Sequence, residues 1–311
     1  MRHFVQTTIS SPVTFTGTGL HSGRPVRMTI NPASAEYGIW FKRVDIEGRD
    51  NMIPAHWASV VPSRLCTLVR NDAHVDVSTI EHIMAALIGC GIHNALVEID
   101  GPEVPIMDGS AARFVEGFIR AGVRELADPV RMIELLAPVE FAEDDAWARL
   151  EPADGFLIDF HISFPDQAIG TQNKSLDMSN GNFVRELSDC RTFCRQADVD
   201  AMQANGLALG GIPGENAVVV DGDHVVSPGG LRRVDEAVRH KMLDALGDLA
   251  LAGAPLKARY VGHKAGHAMT NKLLRALFDQ PDAWRLVTCD DATARHLPGV
   301  GVRRSDLPLT A

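Results

Sequence analysis

Three side chains able to hold a metal or move a proton recur at four-residue steps in one short run. They are His240, Asp244 and Asp248, within Arg239-His240-Lys241-Met242-Leu243-Asp244-Ala245-Leu246-Gly247-Asp248. On a helix, residues four apart lie one above the other on a single face. A neutral imidazole and a carboxylate so placed are two ligands of a Zn²⁺-type site. A third must come from elsewhere, and Ser78-Thr79-Ile80-Glu81-His82 offers a histidine with a carboxylate beside it. His82, His240 and Asp244 would leave one position open on a tetrahedral ion, as catalytic zinc sites do. Water bound there has a pKa of about 7, so metal-assisted hydrolysis is the leading chemistry. The plain alternative is a surface helix on which Asp244 pairs with Lys241. The same ligand set also suits a two-histidine, one-carboxylate Fe(II) oxygenase. A zincin-type protease is excluded, because Ile80 and Met84 stand where H-E-x-x-H needs histidines.

His267 closes a second cluster, His263-Lys264-Ala265-Gly266-His267, at a strand-to-helix turn. Taken alone it reads as a helix-capping residue. A helix N-terminus disfavours imidazolium, so His267 acts as an acid only with a carboxylate beside it, and Asp248 is the candidate. Thr192 offers a hydroxyl that could donate to an oxyanion; otherwise it is a turn or strand threonine. Phe160 and Phe164 read as strand core, and Asp108-Gly109-Ser110 as a turn with a helix cap. The glycine-rich run from Gly17 to Gly23 lacks the strand–helix frame of a phosphate loop.

These residues need elements to position them. Val26 to Ile30 alternates as a half-buried strand should, and Gly38 to Val44 is a second candidate. A helix is predicted from near Ser78, with Ser78 and Glu81 as a capping box and Gly89 and Gly91 as its stop. A strand over Ala95 to Ile99 and a helix over Ser110 to Ala121 follow. The second half repeats this order: strand Ile158 to Phe164, helix Val234 to Leu251, strand Lys257 to Val261, helix His267 to Phe278. The expected fold is therefore α+β: two similar two-layer domains, each a sheet plus helices, from an internal duplication. The domains are expected over 1–127 and 128–311, meeting at Leu126-Ala127-Asp128-Pro129. A small insertion in the second, about 193–222, has no evident counterpart in the first. It is read as a short helix (Val199 to Ala204), a loop (Gly210 to Gly214) and a strand (Ala217 to Val220).

The chain has 311 residues, 45% hydrophobic and 23% charged, as soluble two-domain proteins do. A net charge of −10 argues against a nucleic-acid partner. Met1 to Thr8 lacks a signal-peptide core, and no apolar run approaches the ~20 residues of a membrane span. The five scattered cysteines read as reduced thiols of a cytoplasmic protein.

Over essentially its whole length the chain resembles the UDP-3-O-acyl-N-acetylglucosamine deacetylases, zinc enzymes of lipid A biosynthesis. The resemblance rests on motifs in order: Gly19-Leu20-His21-Ser22-Gly23, Ser78-Thr79-Ile80-Glu81-His82, and Pro105-Ile106-Met107-Asp108-Gly109-Ser110-Ala111. Arg191-Thr192-Phe193, Gly206-Leu207-Ala208-Leu209-Gly210-Gly211, Val238 to Asp244 and Lys264-Ala265-Gly266-His267-Ala268 complete it. It implies one Zn²⁺ per chain, with Fe²⁺ as the alternative ion, on His82, His240 and Asp244. It implies Glu81 as general base, His267 as general acid supported by Asp248, and Thr192 polarising the carbonyl. Lys241 would lie near the sugar nucleotide, Lys264 near the diphosphate, and Phe164 (or Phe160) against the nucleotide. Phe193, Leu207 and Val218 to Val220 would line an acyl passage. The substrate would be an acylated UDP-N-acetylglucosamine and the protein a monomer. The rival within this resemblance is a homologue that binds the UDP-sugar without turnover.

Overall fold

A computed structural model of the chain describes residues 4–308. Met1 to His3, part of the stretch read for a leader, lie outside the described residues.

The first half builds a five-stranded sheet in the order Val13–Thr18, Pro25–Pro32, Ala95–Ile99, Ile39–Arg43, Met52–Pro54. Every neighbouring pair is antiparallel except the parallel pair of Ala95–Ile99 with Ile39–Arg43. Helix α1 (Glu81–Gly89) precedes the central strand and helix α2 (Ala112–Ala121) follows it. The alternation seen in the sequence sets the faces, for Val26, Met28 and Ile30 are all buried.

The second half repeats this connectivity strand for strand. Its order is Val139–Glu143, Ala146–Glu151, Leu256–His263, Phe156–Ser163, Thr171–Asp177, with the parallel pair at the same place. An insertion with Phe193–Arg195, helix α3 (Gln196–Ala204) and Val218–Asp221 comes next. Helix α4 (Glu236–Leu249) then precedes the central strand, and helix α5 (His267–Phe278) follows it. Arg131–Leu135 and Trp284–Thr288 extend this sheet to seven strands.

Two expectations are corrected. The first half also carries an insertion at the corresponding point, a small sheet of Val60–Val61, Leu68–Arg70 and Asp76–Ser78. Strands of two or three residues are too short to leave a periodic signal. The capping box of Ser78 and Glu81 does not form. Thr79 adopts a φ of 58° and turns the chain, so Ser78 stays in a strand and α1 begins with Ile80, not Ser78, as its N-cap. The Ser78 hydroxyl instead donates to the Pro102 carbonyl, at 3.2 Å. Leu126 to Pro129 lie within a strand, Val123–Pro129, paired antiparallel with Val5–Ile9.

The helices α1 and α4 pack on each other. All of α1 but Ile88, and all of α4 but Lys241, is buried. Gly247 makes this close approach possible: a Cβ there would lie 2.0 Å from the Glu81 carbonyl oxygen. A helix buried on every side that carries His240, Asp244 and Asp248 is not a surface helix; its polar groups require partners. Among the described residues no helix is long and apolar enough to cross a membrane. All five cysteines are free thiols.

Candidate metal centre and active-site cavity

His82 sits in the first turn of α1, and His240 and Asp244 lie one turn apart on α4. Asp244 Oδ1 is 3.3 Å from His240 Nε2 and 3.5 Å from His82 Nε2. The two imidazoles meet edge to face, with centroids 4.9 Å apart. The three donor atoms all lie within 4.8 Å of one another. His240 Nδ1–H donates to the Cys190 carbonyl at 2.9 Å, which leaves the lone pair of the neutral ring on Nε2. Burial pushes its pKa down to about 4 against the pull of Asp244. Burial alone would raise Asp244, but His240 and Lys241 hold it well below the usual carboxylate range. Lys241 Nζ donates to Asp244 Oδ2 at 2.8 Å.

Asp244 Oδ1 is buried and has no hydrogen-bond partner. A buried carboxylate oxygen without a donor costs free energy. A cation placed where Oδ1 and the two imidazole lone pairs converge would satisfy all three. Two imidazoles and a carboxylate form a donor set that Zn²⁺ accepts, and Fe²⁺ also.

Two groups able to transfer a proton, Glu81 and His267, flank these three side chains. Glu81, at the start of α1, accepts the Thr67 backbone N–H on Oε2 at 3.0 Å. Its Oε1 lies 3.7 Å from His267 Nε2. Burial pushes the Glu81 pKa up, although His267 and His82 pull it down. His267 begins α5, and its imidazole caps nothing: Nδ1–H donates to Asp248 Oδ2 at 2.8 Å. Burial would lower its pKa, but Asp248 and Glu81 raise it to about 9, so the ring is cationic at neutral pH.

A cavity of about 890 Å³ opens over this centre. Thr192, Lys241, Lys264 and His267 give it a polar side, and Leu20, Phe193, Met202, Leu207 and Val219 an apolar one. Phe164 also lines it and meets Phe193 edge to face at 5.4 Å. Phe160 is in the core, 3% exposed and against Tyr260. Of Val218 to Val220 only Val219 faces this cavity, because alternate residues of a strand point to opposite sides. Lys264 reaches the cavity from a left-handed backbone, with its ammonium on Asp145 at 2.6 Å.

Sequence reasoning missed three contributors. Thr67, the Cys190 carbonyl and Gly247 each act through contacts between segments far apart in the chain, which no motif spacing reports. The Gly19–Gly23 loop also has a structural explanation. It wraps the buried Glu103, which accepts the backbone N–H groups of His21 and Ser22 at 2.8 and 2.9 Å. A carboxylate already fills the place a phosphate would need.

Comparison with known proteins finds relatives along most of the chain. A family model described as UDP-3-O-acyl N-acetylglycosamine deacetylase matches residues 6–279. The UDP-3-O-acyl-N-acetylglucosamine deacetylase of Phenylobacterium zucineum (strain HLK1) is 52% identical over 283 residues, covering 91% of this chain and 96% of that protein. The protein of the same name from Shewanella frigidimarina (strain NCIMB 400) is 45% identical over 287 residues, covering 92% and 93%.

Proposed function

The chain belongs to the UDP-3-O-acyl-N-acetylglycosamine deacetylase family, and from that premise we propose how its residues carry out the deacetylation. The protein hydrolyses the N-acetyl amide of UDP-3-O-(3-hydroxyacyl)-N-acetylglucosamine, giving acetate and the free amine for lipid A biosynthesis. The observation that carries this reading is one cluster: Glu81 and the His267–Asp248 pair beside the convergent His82, His240 and Asp244.

His82, His240 and Asp244 would hold one Zn²⁺. When bound, the ion supplies Lewis-acid polarisation of the acetamide carbonyl and lowers the pKa of water. Glu81 orients the attacking water and takes its proton; burial brings this carboxylate towards the pH at which it works. The Thr192 hydroxyl donates to the carbonyl oxygen as negative charge develops there. His267 delivers a proton from Nε2 to the departing glucosamine nitrogen, which leaves poorly unless protonated. Asp248 keeps that imidazole protonated and aimed.

The apolar side of the cavity takes the acyl chain, with each buried CH₂ contributing about 0.8 kcal/mol. Phe164 packs on the nucleotide, Lys241 lies near the sugar nucleotide, and Lys264 exchanges Asp145 for the diphosphate. Residues 1–127 supply Glu81 and His82, and residues 128–311 supply the rest of the site. The enzyme works as a cytoplasmic monomer.

Acetate release from the acylated UDP-sugar tests the reading, using wild type, Glu81→Ala and His267→Ala with metal content measured in each. Each variant should lose at least about 100-fold while keeping its metal. Full activity in both would overturn the assignment of base and acid. No acetate from the zinc-loaded wild type would favour a non-catalytic UDP-sugar binder. The metal that co-purifies decides between zinc and iron.

A further inference from the structure

Thr67 makes two hydrogen bonds that no other residue near the centre combines. Its backbone N–H donates to Glu81 Oε2 at 3.0 Å, and its hydroxyl donates to Asp248 Oδ1. Asp248 gives its other oxygen to His267 Nδ1 at 2.8 Å. Thr67 is 3% exposed and precedes the strand Leu68–Arg70 of the small first-half sheet. That strand pairs with Asp76–Ser78, which leads into α1. The Thr67 carbonyl in turn accepts the Ile80 N–H at 3.4 Å, just before Glu81. Thr67 is thus anchored to the start of α1 while its side chain reaches α4.

We infer that Thr67 is a positioning residue that locks the general base and the general acid in one frame. The inference rests on the assignment of Glu81 as base and His267 as acid. Its backbone bond orients the Glu81 carboxylate. Its hydroxyl occupies the Asp248 oxygen that His267 does not use, so the carboxylate cannot rotate away from Nδ1. Asp248 and Thr67 lie on different halves, 181 residues apart in sequence. One residue therefore fixes the relative placement of two groups that must act on the same amide. Hydrogen-bond partners of this kind typically change activity by about 10- to 100-fold when removed.

Steady-state acetate release by the zinc-loaded wild type, Thr67→Val and Thr67→Ser tests this, with zinc content and thermal unfolding measured alongside. Valine keeps the shape and backbone N–H but drops the hydroxyl; serine restores it. Thr67→Val should lower kcat about 10- to 100-fold with KM and zinc content unchanged, and Thr67→Ser should return kcat to within threefold of wild type. In an Asp248→Ala background, Thr67→Val should change kcat less than twofold, because the hydroxyl acts through that carboxylate. If Thr67→Val does not fold, Thr67→Ala carries the same comparison. Wild-type kcat in Thr67→Val, a loss appearing in KM or zinc content, no rescue by serine, or a full loss in the Asp248→Ala background would each overturn the inference. A wild type that releases no acetate would instead sink the functional assignment on which it stands.

Discussion

His267 would be a poor acid on its own helix. It begins α5, where the helix dipole and burial both oppose a cationic ring. Asp248 and Glu81 reverse that balance and raise its pKa to about 9. Asp248→Asn removes the charge but keeps the shape, so kcat should fall about 10- to 100-fold with metal content unchanged. Loss of the metal in this variant would make Asp248 a ligand and refute its supporting role. Asp244 is the opposite case, with a buried oxygen that no hydrogen-bond donor reaches and that a cation would satisfy. Chelation should abolish acetate release and lower the unfolding temperature, and added Zn²⁺ should restore both, since ligand bound only to the folded state stabilises it. A chelated enzyme with full activity would contradict the metal assignment.

At the scale of elements, the contact between α1 and α4 makes the site, because the first supplies Glu81 and His82 and the second His240, Asp244 and Asp248. Gly247 sets their separation, with room for no Cβ against the Glu81 carbonyl. Alanine favours a helix over glycine by about 1 kcal/mol, but overpacking costs about 1–3 kcal/mol. Gly247→Ala should therefore lower the denaturant midpoint. Moving Glu81 by about 1 Å should also cost on the order of 100-fold in rate. Wild-type kinetics and midpoint in Gly247→Ala would show that the two helices part without consequence.

The whole molecule joins two units that share a five-strand order, and its edges are tied by groups far from the chemistry. His93 Nδ1 accepts the Thr7 N–H at 3.2 Å and so holds Val5–Ile9 beside the first sheet. Burial pushes its pKa down from 6.5 to about 4. The unfolded chain therefore binds a proton that the folded chain refuses. This contribution is complete above about pH 6.5 and is lost as pH falls towards 4. Urea unfolding at pH 7 and pH 5 should show a larger loss for wild type than for His93→Gln; equal losses would exclude His93 as the titrating group.

Much of the candidate site was legible in the sequence because its candidate ligands follow helical spacing. The step from His240 to Asp244, and the adjacency of Glu81 to His82, survive in any helix, and α4 forms across the stretch where they were read. The strand–helix order of both halves was likewise written in periodicity and glycine stops. Local sequence did not reveal the small first-half sheet, whose strands are too short to show a period, or the true start of α1, which a left-handed Thr79 decides. Nor did it separate Val219 from its neighbours, since that depends on which face of a strand meets the cavity. Tertiary structure alone decided that α4 is buried, that Gly247 lets it touch α1, and that Thr67 reaches Asp248 across the two halves. Spacing along a chain fixes which side chains share a face; only packing fixes which faces meet, and the charges, orphaned oxygens and shifted pKa values of this site arise where they do.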